Sequence, residues 1–236
     1  WLGDLTAVAL QPAGARSLPL QPAAPPAPYV FVVDPLGDLP YADRSAAAYR
    51  KTFPGARILR RSAASRRAVE ELLARADGLH VDAHAVYEAA FPELSSLQLA
   101  DGGLRFLELA ALRPPRRFAN LSGCRTGSWF ATADSGRYGF GGLMARLGVP
   151  WTVATRAPLL DRLAEDYNET FYLAIAGGSE PPEVHRQALA RVSARYPAAA
   201  WASLLLLHAP PVGEGLEDTP ELRKIAHLDS RWSEGP

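Results

Sequence analysis

The sequence predicts an α/β fold: a three-layer α/β/α sandwich with a mostly parallel central sheet. Three observations carry that prediction. Short strand-like runs, most of them apolar, recur at 29–33, 78–84, 117–122, 150–155 and 201–207. Segments with helical spacing of their apolar residues lie between several of them. Continuous runs mark strands buried on both faces, and strand–helix alternation is the pattern of parallel crossover units. With 236 residues, 48 % hydrophobic and 21 % charged, the chain suits one domain with a substantial core plus appendages.

In chain order, Leu5–Leu10 reads as a short strand. The prolines at 12, 19, 22, 25, 26 and 28 then resist helix, so residues 1–28 read as an extended arm or linker. Tyr29–Val33 is a strong buried strand ended by Asp34-Pro-Leu-Gly-Asp. Ser45–Phe53 reads as a helix and Ala56–Leu59 as a short strand. Ser65–Ala76 is a helix with Val69, Leu72 and Leu73 on one face. The run 78–84 is a strand ending in His84. Leu97-Gln-Leu-Ala-Asp-Gly-Gly alternates and then turns, as a hairpin does. A helix over Arg105–Ala111 precedes the strand 117–122, and Tyr138–Leu147 is a helix stopped by Gly148. Pro150–Thr155 is a strand. Asp161–Ala176 is a long helix with Leu163, Tyr167, Phe171 and Leu173 near one face, stopped by Gly177-Gly178. Pro182–Tyr196 is opened by proline and stopped before Pro197. Trp201–Leu207 is a last buried strand. Residues 210–220 form a linker, and Glu221–Trp232 has the spacing of a small amphipathic helix. The main domain is thus expected over 29–209, with a linker and helix at 210–236.

Lys and Arg total 25, as do Asp and Glu, so the formal net charge is zero. Without a basic stripe or polybasic segment, neither nucleic acid nor a membrane is expected as partner. The longest apolar run, Leu204–Leu207, is too short to span a bilayer. A single cysteine forms no internal disulfide, which fits a cytoplasmic location. The chain starts at Trp1, so a longer protein carrying a sensor or regulatory region is expected.

That cysteine, Cys124, sits in Asn-Leu-Ser-Gly-Cys-Arg-Thr-Gly (120–127), at the carboxyl end of a predicted strand. Open α/β sheets place their chemistry there. Free cysteine is commonly core filler, but this one is flanked by glycine and polar residues, with Arg125 beside it to favour a thiolate. A thiol nucleophile needs a nearby base, and His84 ends another strand forty residues upstream. Adjacent parallel strands run about 4.8 Å apart, within reach of one substrate carbonyl. His80, Asp82 and His84 share one face of their strand, yet residues four apart on a strand are about 13 Å apart. One ion cannot readily bind both histidines, and no metal or other cofactor is expected. Ser122 lacks the Gly-x-Ser-x-Gly elbow. Gly-Phe-Gly-Gly (139–142) lacks the spacing of a phosphate loop and reads as close packing under the cysteine turn. Trp129 and Phe130 read as packing that also suits the wall of a peptide groove.

These motifs together resemble the CHAT family, caspase-like cysteine peptidases related to caspases and separases. The resemblance covers roughly 29–208. It rests on Val32-Val-Asp-Pro-Leu-Gly-Asp-Leu-Pro40, Leu79-His-Val-Asp-Ala-His84, Ser96-Leu-Gln-Leu-Ala-Asp-Gly-Gly-Leu104, Asn120–Gly127 and Gly148-Val-Pro-Trp-Thr-Val-Ala-Thr155, in that order, with the helix from Asp161. The order histidine then cysteine is that of caspase-like enzymes. The resemblance implies a caspase-like sandwich and a cysteine endopeptidase acting on a protein or peptide substrate. It implies His84 as base or imidazolium partner, Cys124 as nucleophile, and the backbone N–H groups of Ala85 and Cys124 as oxyanion hole. Two positions differ from the family pattern: Ala85 stands where glycine is usual, and Arg125 where an acid is usual. Basic-specific relatives hold acidic residues under the substrate's P1 side chain, and Asp34 and Asp161 occupy comparable places. An Arg-rich stretch at 57–67 would then be a self-cleavage site if exposed. The contrasting reading is a catalytically silent domain that keeps the fold and binds a partner protein.

Overall fold

The computed structural model describes residues 28–88, 91, 94–128, 130–131, 137–197 and 204–208. The N-terminal arm, the 210–220 linker, the 221–232 helix and Trp129 lie outside the described residues, as do the side chains of Phe130 and residues 205–208. The elements in order are β1 (Tyr29–Val33), α1 (Pro40–Thr52), β2 (Arg57–Arg60), a 3-10 turn (Arg61–Ala63), α2 (Arg66–Leu73), β3 (Gly78–Asp82), β4 (Ala85–Val86), β5 (Ser96–Leu99), β6 (Gly102–Arg105), α3 (Phe106–Ala111), β7 (Phe118–Leu121), β8 (Phe130–Ala131), β9 (Arg137–Tyr138), α4 (Phe140–Arg146), β10 (Trp151–Thr155), α5 (Asp161–Ala176), α6 (Pro181–Arg195) and β11 (Leu204–His208).

The main sheet has six strands in the order β11-β10-β7-β3-β1-β2. β2, β1, β3, β7 and β10 run parallel, and β11 returns antiparallel to β10. β4, β5 and β6 make a separate antiparallel sheet, and β8 and β9 a short ribbon. Alternation along β1 explains the layers. Val30 and Val32 join a cluster with Val69 and Leu73 of α2, Leu109 of α3 and Met144 of α4. Phe31 and Val33 point the other way, into a cluster with Tyr49 of α1, Tyr167 and Tyr172 of α5 and Val184 of α6. The molecule is therefore the expected α/β/α sandwich. Each fully buried large side chain contributes about 1.5–3 kcal/mol. The second face is aromatic: Phe31 stacks on Tyr49 with centroids 4.5 Å apart, and Tyr172 packs edge-on to both.

Several elements depart from their expected limits for identifiable reasons. Helix α1 starts at Pro40, five residues before the spacing implied. Its first turn has no capping side chain of its own. The Asp161 carboxylate, distant in sequence, accepts the N–H groups of Tyr41 (2.9 Å) and Ala42 (3.1 Å) instead. Helix α2 is capped by Ser65, whose hydroxyl accepts the Ala68 N–H. In α5, Leu163, Tyr167 and Phe171 are buried, whereas Leu173 is 59 % exposed and Tyr172 takes the inward place. The stretch 57–67 is held as strand, turn and helix, with Arg60 paired to Asp43 and Arg66 to Glu108. Its backbone is not presented as an extended cleavage site. Among the described residues no helix is long and apolar enough to cross a membrane.

One packing pair predicts a pH dependence. His185 of α6 is 5 % exposed, and its Nδ1 is hydrogen-bonded to the Tyr167 hydroxyl at 2.6 Å. Burial lowers the His185 pKa from 6.5 to about 4. Between those values the unfolded chain binds the proton and the folded chain does not. Stability is therefore full above pH 6.5 and declines as pH falls towards 4, by about 3 kcal/mol in all. Denaturant unfolding at several pH values should show that slope, and His185→Gln should flatten it.

Candidate active site

Chain order reverses across the sheet between β1 and β3: β2 lies on one side of β1, and β3, β7 and β10 follow on the other. Crevices in open α/β sheets form at the carboxyl ends of strands beside such a reversal. A cavity of about 70 Å³ sits there. Leu39 lines it from the β1–α1 loop, Asp82, Ala83 and His84 from the end of β3, and Ser122 and Cys124 from the end of β7; Leu159, Asp161 and Ala164 complete it. His84 and Cys124, the two residues singled out by chemistry, thus share one cavity on adjacent strands.

Cys124 is half-buried, and its Sγ accepts the Leu159 N–H at 3.4 Å. Two fully buried threonines hold its turn. The Thr126 hydroxyl donates to the Leu121 carbonyl (2.7 Å) and accepts the Thr155 N–H (3.1 Å). The Thr155 hydroxyl donates to the Gly123 carbonyl and accepts the Thr126 N–H (3.3 Å). Each hydroxyl thereby satisfies two backbone groups and ties the turn to the end of β10. The Gly-Phe-Gly-Gly segment packs beneath, with the Gly141 N–H on the Thr126 carbonyl at 2.8 Å. Arg125 is exposed and left-handed at φ 58°, and its N–H donates to the Ala157 carbonyl.

The histidine and cysteine turns touch through Gly123. A Cβ there would lie 2.8 Å from the Ala83 carbonyl oxygen and 3.2 Å from the Ala85 Cβ. Gly123→Ala must push the two turns apart. It should lower stability by about 1–3 kcal/mol, read by denaturant unfolding. Ala85 is extended in β4 and is not among the positive-φ residues, so glycine's conformational freedom is not needed there.

His84 is 44 % exposed, and its Nε2 lies 3.1 Å from Asp38 Oδ1. Asp34 is only 1 % exposed and does not line the cavity. It is left-handed at φ 49°, and its Oδ1 accepts the N–H groups of Asp38 (2.8 Å) and Leu39 (2.9 Å). The structure therefore separates Asp34 from Asp161. Asp161 lines the cavity, and its pKa is raised, chiefly by burial; the Tyr41 and Ala42 N–H groups oppose the rise, and the charges of Asp82 and Glu165 add to it.

Asp82 is the acidic wall that sequence reasoning did not assign. It is 3 % exposed; its Oδ2 takes the Tyr49 hydroxyl (3.1 Å) and lies 2.6 Å from His80 Nε2, and its Oδ1 accepts from Asn168 Nδ2 (3.2 Å). Tyr172 contacts His80 Nδ1 at 2.8 Å. Asn168 continues the network to Ser122 (3.1 Å) and Asn120 (2.9 Å). Ser122 lines the cavity and joins it to this network. Among the described residues no three His, Cys, Asp or Glu side chains are placed to hold one metal ion. The signal for Asp82 was a carboxylate two residues from a histidine in a strand buried along its whole length. For Asp38 there was none, since its histidine lies 46 positions away.

The CHAT domain family model matches residues 8–209. No curated protein sequence matches the chain. Solved structures share its fold. The separase of Saccharomyces cerevisiae, in complex with securin, matches with TM-score 0.57 and 12 % identity over 84 % of this chain and 12 % of its own. The Arg-specific cysteine proteinase gingipain R matches with TM-score 0.57 and 8 % identity, over 77 % of this chain and 46 % of its own. The complex of Porphyromonas gingivalis RgpB pro- and mature domains matches at TM-score 0.57 and 8 % identity, over 78 % and 47 %. The chain thus spans a small fraction of separase and under half of the gingipain chains.

Proposed function

The chain belongs to the CHAT domain family, with the caspase-like sandwich of cysteine peptidases, and from that premise we propose that it is a cysteine endopeptidase whose dyad is His84 and Cys124. The observation that carries this reading is one cavity lined by both side chains at the carboxyl ends of adjacent strands. The Cys124 thiolate attacks the scissile carbonyl and forms a C–S bond. The backbone N–H groups of Cys124 and Ala85 receive the developing oxyanion. The imidazolium of His84 gives its proton to the leaving amine as the C–N bond breaks. Water then hydrolyses the thioester and restores the thiol. No metal or other cofactor enters these steps. We take residues 29–209 as the peptidase unit, and a regulatory region elsewhere in a longer chain is expected to govern it.

The substrate is a protein cut after a basic residue. Asp161 and Asp82 line the same cavity, and the Asp82 charge adds to the cost of ionising Asp161, which a guanidinium relieves. The specificity in gingipain R's name supports the same choice. Asp34, engaged by its own turn, has no part in this pocket. The test is a fluorogenic peptide panel varied at P1, with a peptidyl electrophile carrying P1 arginine as active-site label. Hydrolysis after Arg or Lys and labelling of Cys124 are expected. No hydrolysis at any P1 and no labelling would overturn the reading in favour of a catalytically silent interaction module.

A further inference from the structure

We propose that Asp38 is a positioning residue for His84, holding its ring in the Nε2–H tautomer so that Nδ1 is the nitrogen that serves Cys124. The inference rests on the dyad reading above.

A carboxylate only accepts hydrogen bonds, so the 3.1 Å contact between Asp38 Oδ1 and His84 Nε2 requires the hydrogen on Nε2. In the neutral ring the free lone pair is then on Nδ1. The proton path follows. Nδ1 takes the Cys124 proton, carries it as imidazolium, and releases it to the leaving amine. Nε2–H stays bonded to Asp38 throughout, so the ring regains the same tautomer after each turnover. Without that partner the two tautomers interconvert, and one of them presents an N–H where a lone pair is needed.

Asp38 is itself held in place. Its N–H donates to Asp34 Oδ1 at 2.8 Å, and the next N–H, of Leu39, donates to the same oxygen at 2.9 Å. The Asp34 N–H is anchored on the Asp82 carbonyl at 2.9 Å, at the end of the histidine strand. Gly37, at φ 80°, lets the loop turn between the two aspartates. Asp34 thus braces the loop that brings Asp38 to the ring. An exposed pair of this kind adds little to stability. What it fixes is orientation; in metal sites, removal of the outer partner that orients a histidine costs about 10–100-fold in function, and an effect of that order is expected here.

The test compares the full chain with Asp38→Ala, Asp38→Asn and His84→Ala. Ring ¹⁵N shifts report the tautomer, with the His84 signals identified by their loss in His84→Ala. Iodoacetamide alkylation of Cys124 and peptide turnover report function. In the wild type His84 is expected as the Nε2–H tautomer. In Asp38→Ala the tautomers mix and kcat falls about 10-fold, with KM within about 2-fold. Asp38→Asn, which keeps an acceptor oxygen, should retain the tautomer and recover part of kcat. Wild-type tautomer and kcat in folded Asp38→Ala would overturn the inference. If His84→Ala also leaves alkylation and turnover unchanged, the dyad reading falls with it. If His84→Ala abolishes turnover while Asp38→Ala is silent, only the role of Asp38 is lost.

Discussion

Cys124→Ala should reduce peptide hydrolysis to background, a loss of about 10⁴-fold or more, while the melting temperature moves by less than about 2 °C. The two halves of this expectation have separate causes. Without sulfur no acyl-enzyme forms, and neither the histidine nor the oxyanion donors replace it. The fold, by contrast, loses little. The thiol is half-buried and makes only weak contacts, with the N–H and the carbonyl of Leu159. The turn around it is secured by Thr126 and Thr155, which the substitution leaves intact. Turnover of the best P1 substrate and a thermal melt of the same sample decide the matter. Turnover that survives removes Cys124 as nucleophile.

Asp161→Asn should lower kcat/KM for a P1-arginine peptide about 100-fold and leave a neutral-P1 peptide nearly unchanged. The Tyr41 and Ala42 N–H groups bond different oxygens of Asp161, so asparagine keeps an acceptor for one of them and the start of α1 stays half-capped. Alanine would remove charge and cap together and cost about 1 kcal/mol of stability as well. The carboxyl's raised pKa gives the direction with pH. A bound guanidinium favours the ionised form and pulls that pKa down. Binding therefore releases protons near the free-enzyme value, and P1-arginine affinity rises with pH through it. That acid limb in kcat/KM should be absent from Asp161→Asn. An unchanged P1 preference in the variant would take Asp161 out of the pocket.

How much of this was legible in the sequence depended on the range of the causes. β1, β3, β7 and β10 are buried on both faces, so their signal is local and they lie within a residue or two of expectation, apart from the far end of the 78–84 run. Helix α5 matched its expected limits because two glycines stop it and its inward stripe is long. The start of α1 was not legible because its cap comes from Asp161, more than a hundred residues on. No local pattern shows that β11 runs antiparallel, since a short apolar run carries no direction. For the site, chemistry and position were enough to pick out His84 and Cys124. Asp34 was read as a substrate contact because its place matched, yet its oxygen is taken up by the loop it closes. Asp82 and Asp38 depend on partners across the fold: Tyr49 and Asn168 on helices for the first, His84 for the second.

The return of β11 settles where the fold joins the rest of its polypeptide. His208, its last residue, pairs with Trp151, the first of β10, and Tyr29, the first of β1, pairs with Gly78, the first of β3. Both attachment points thus lie on the edge where the parallel strands begin, about 13 Å of strand away from the edge that carries the cleft. A module or an affinity handle joined directly at Tyr29 or His208 would be tethered behind the working face. The fold can be inserted into larger assemblies as a cassette, with both cuts on one side and the mouth of the cleft left free on the other.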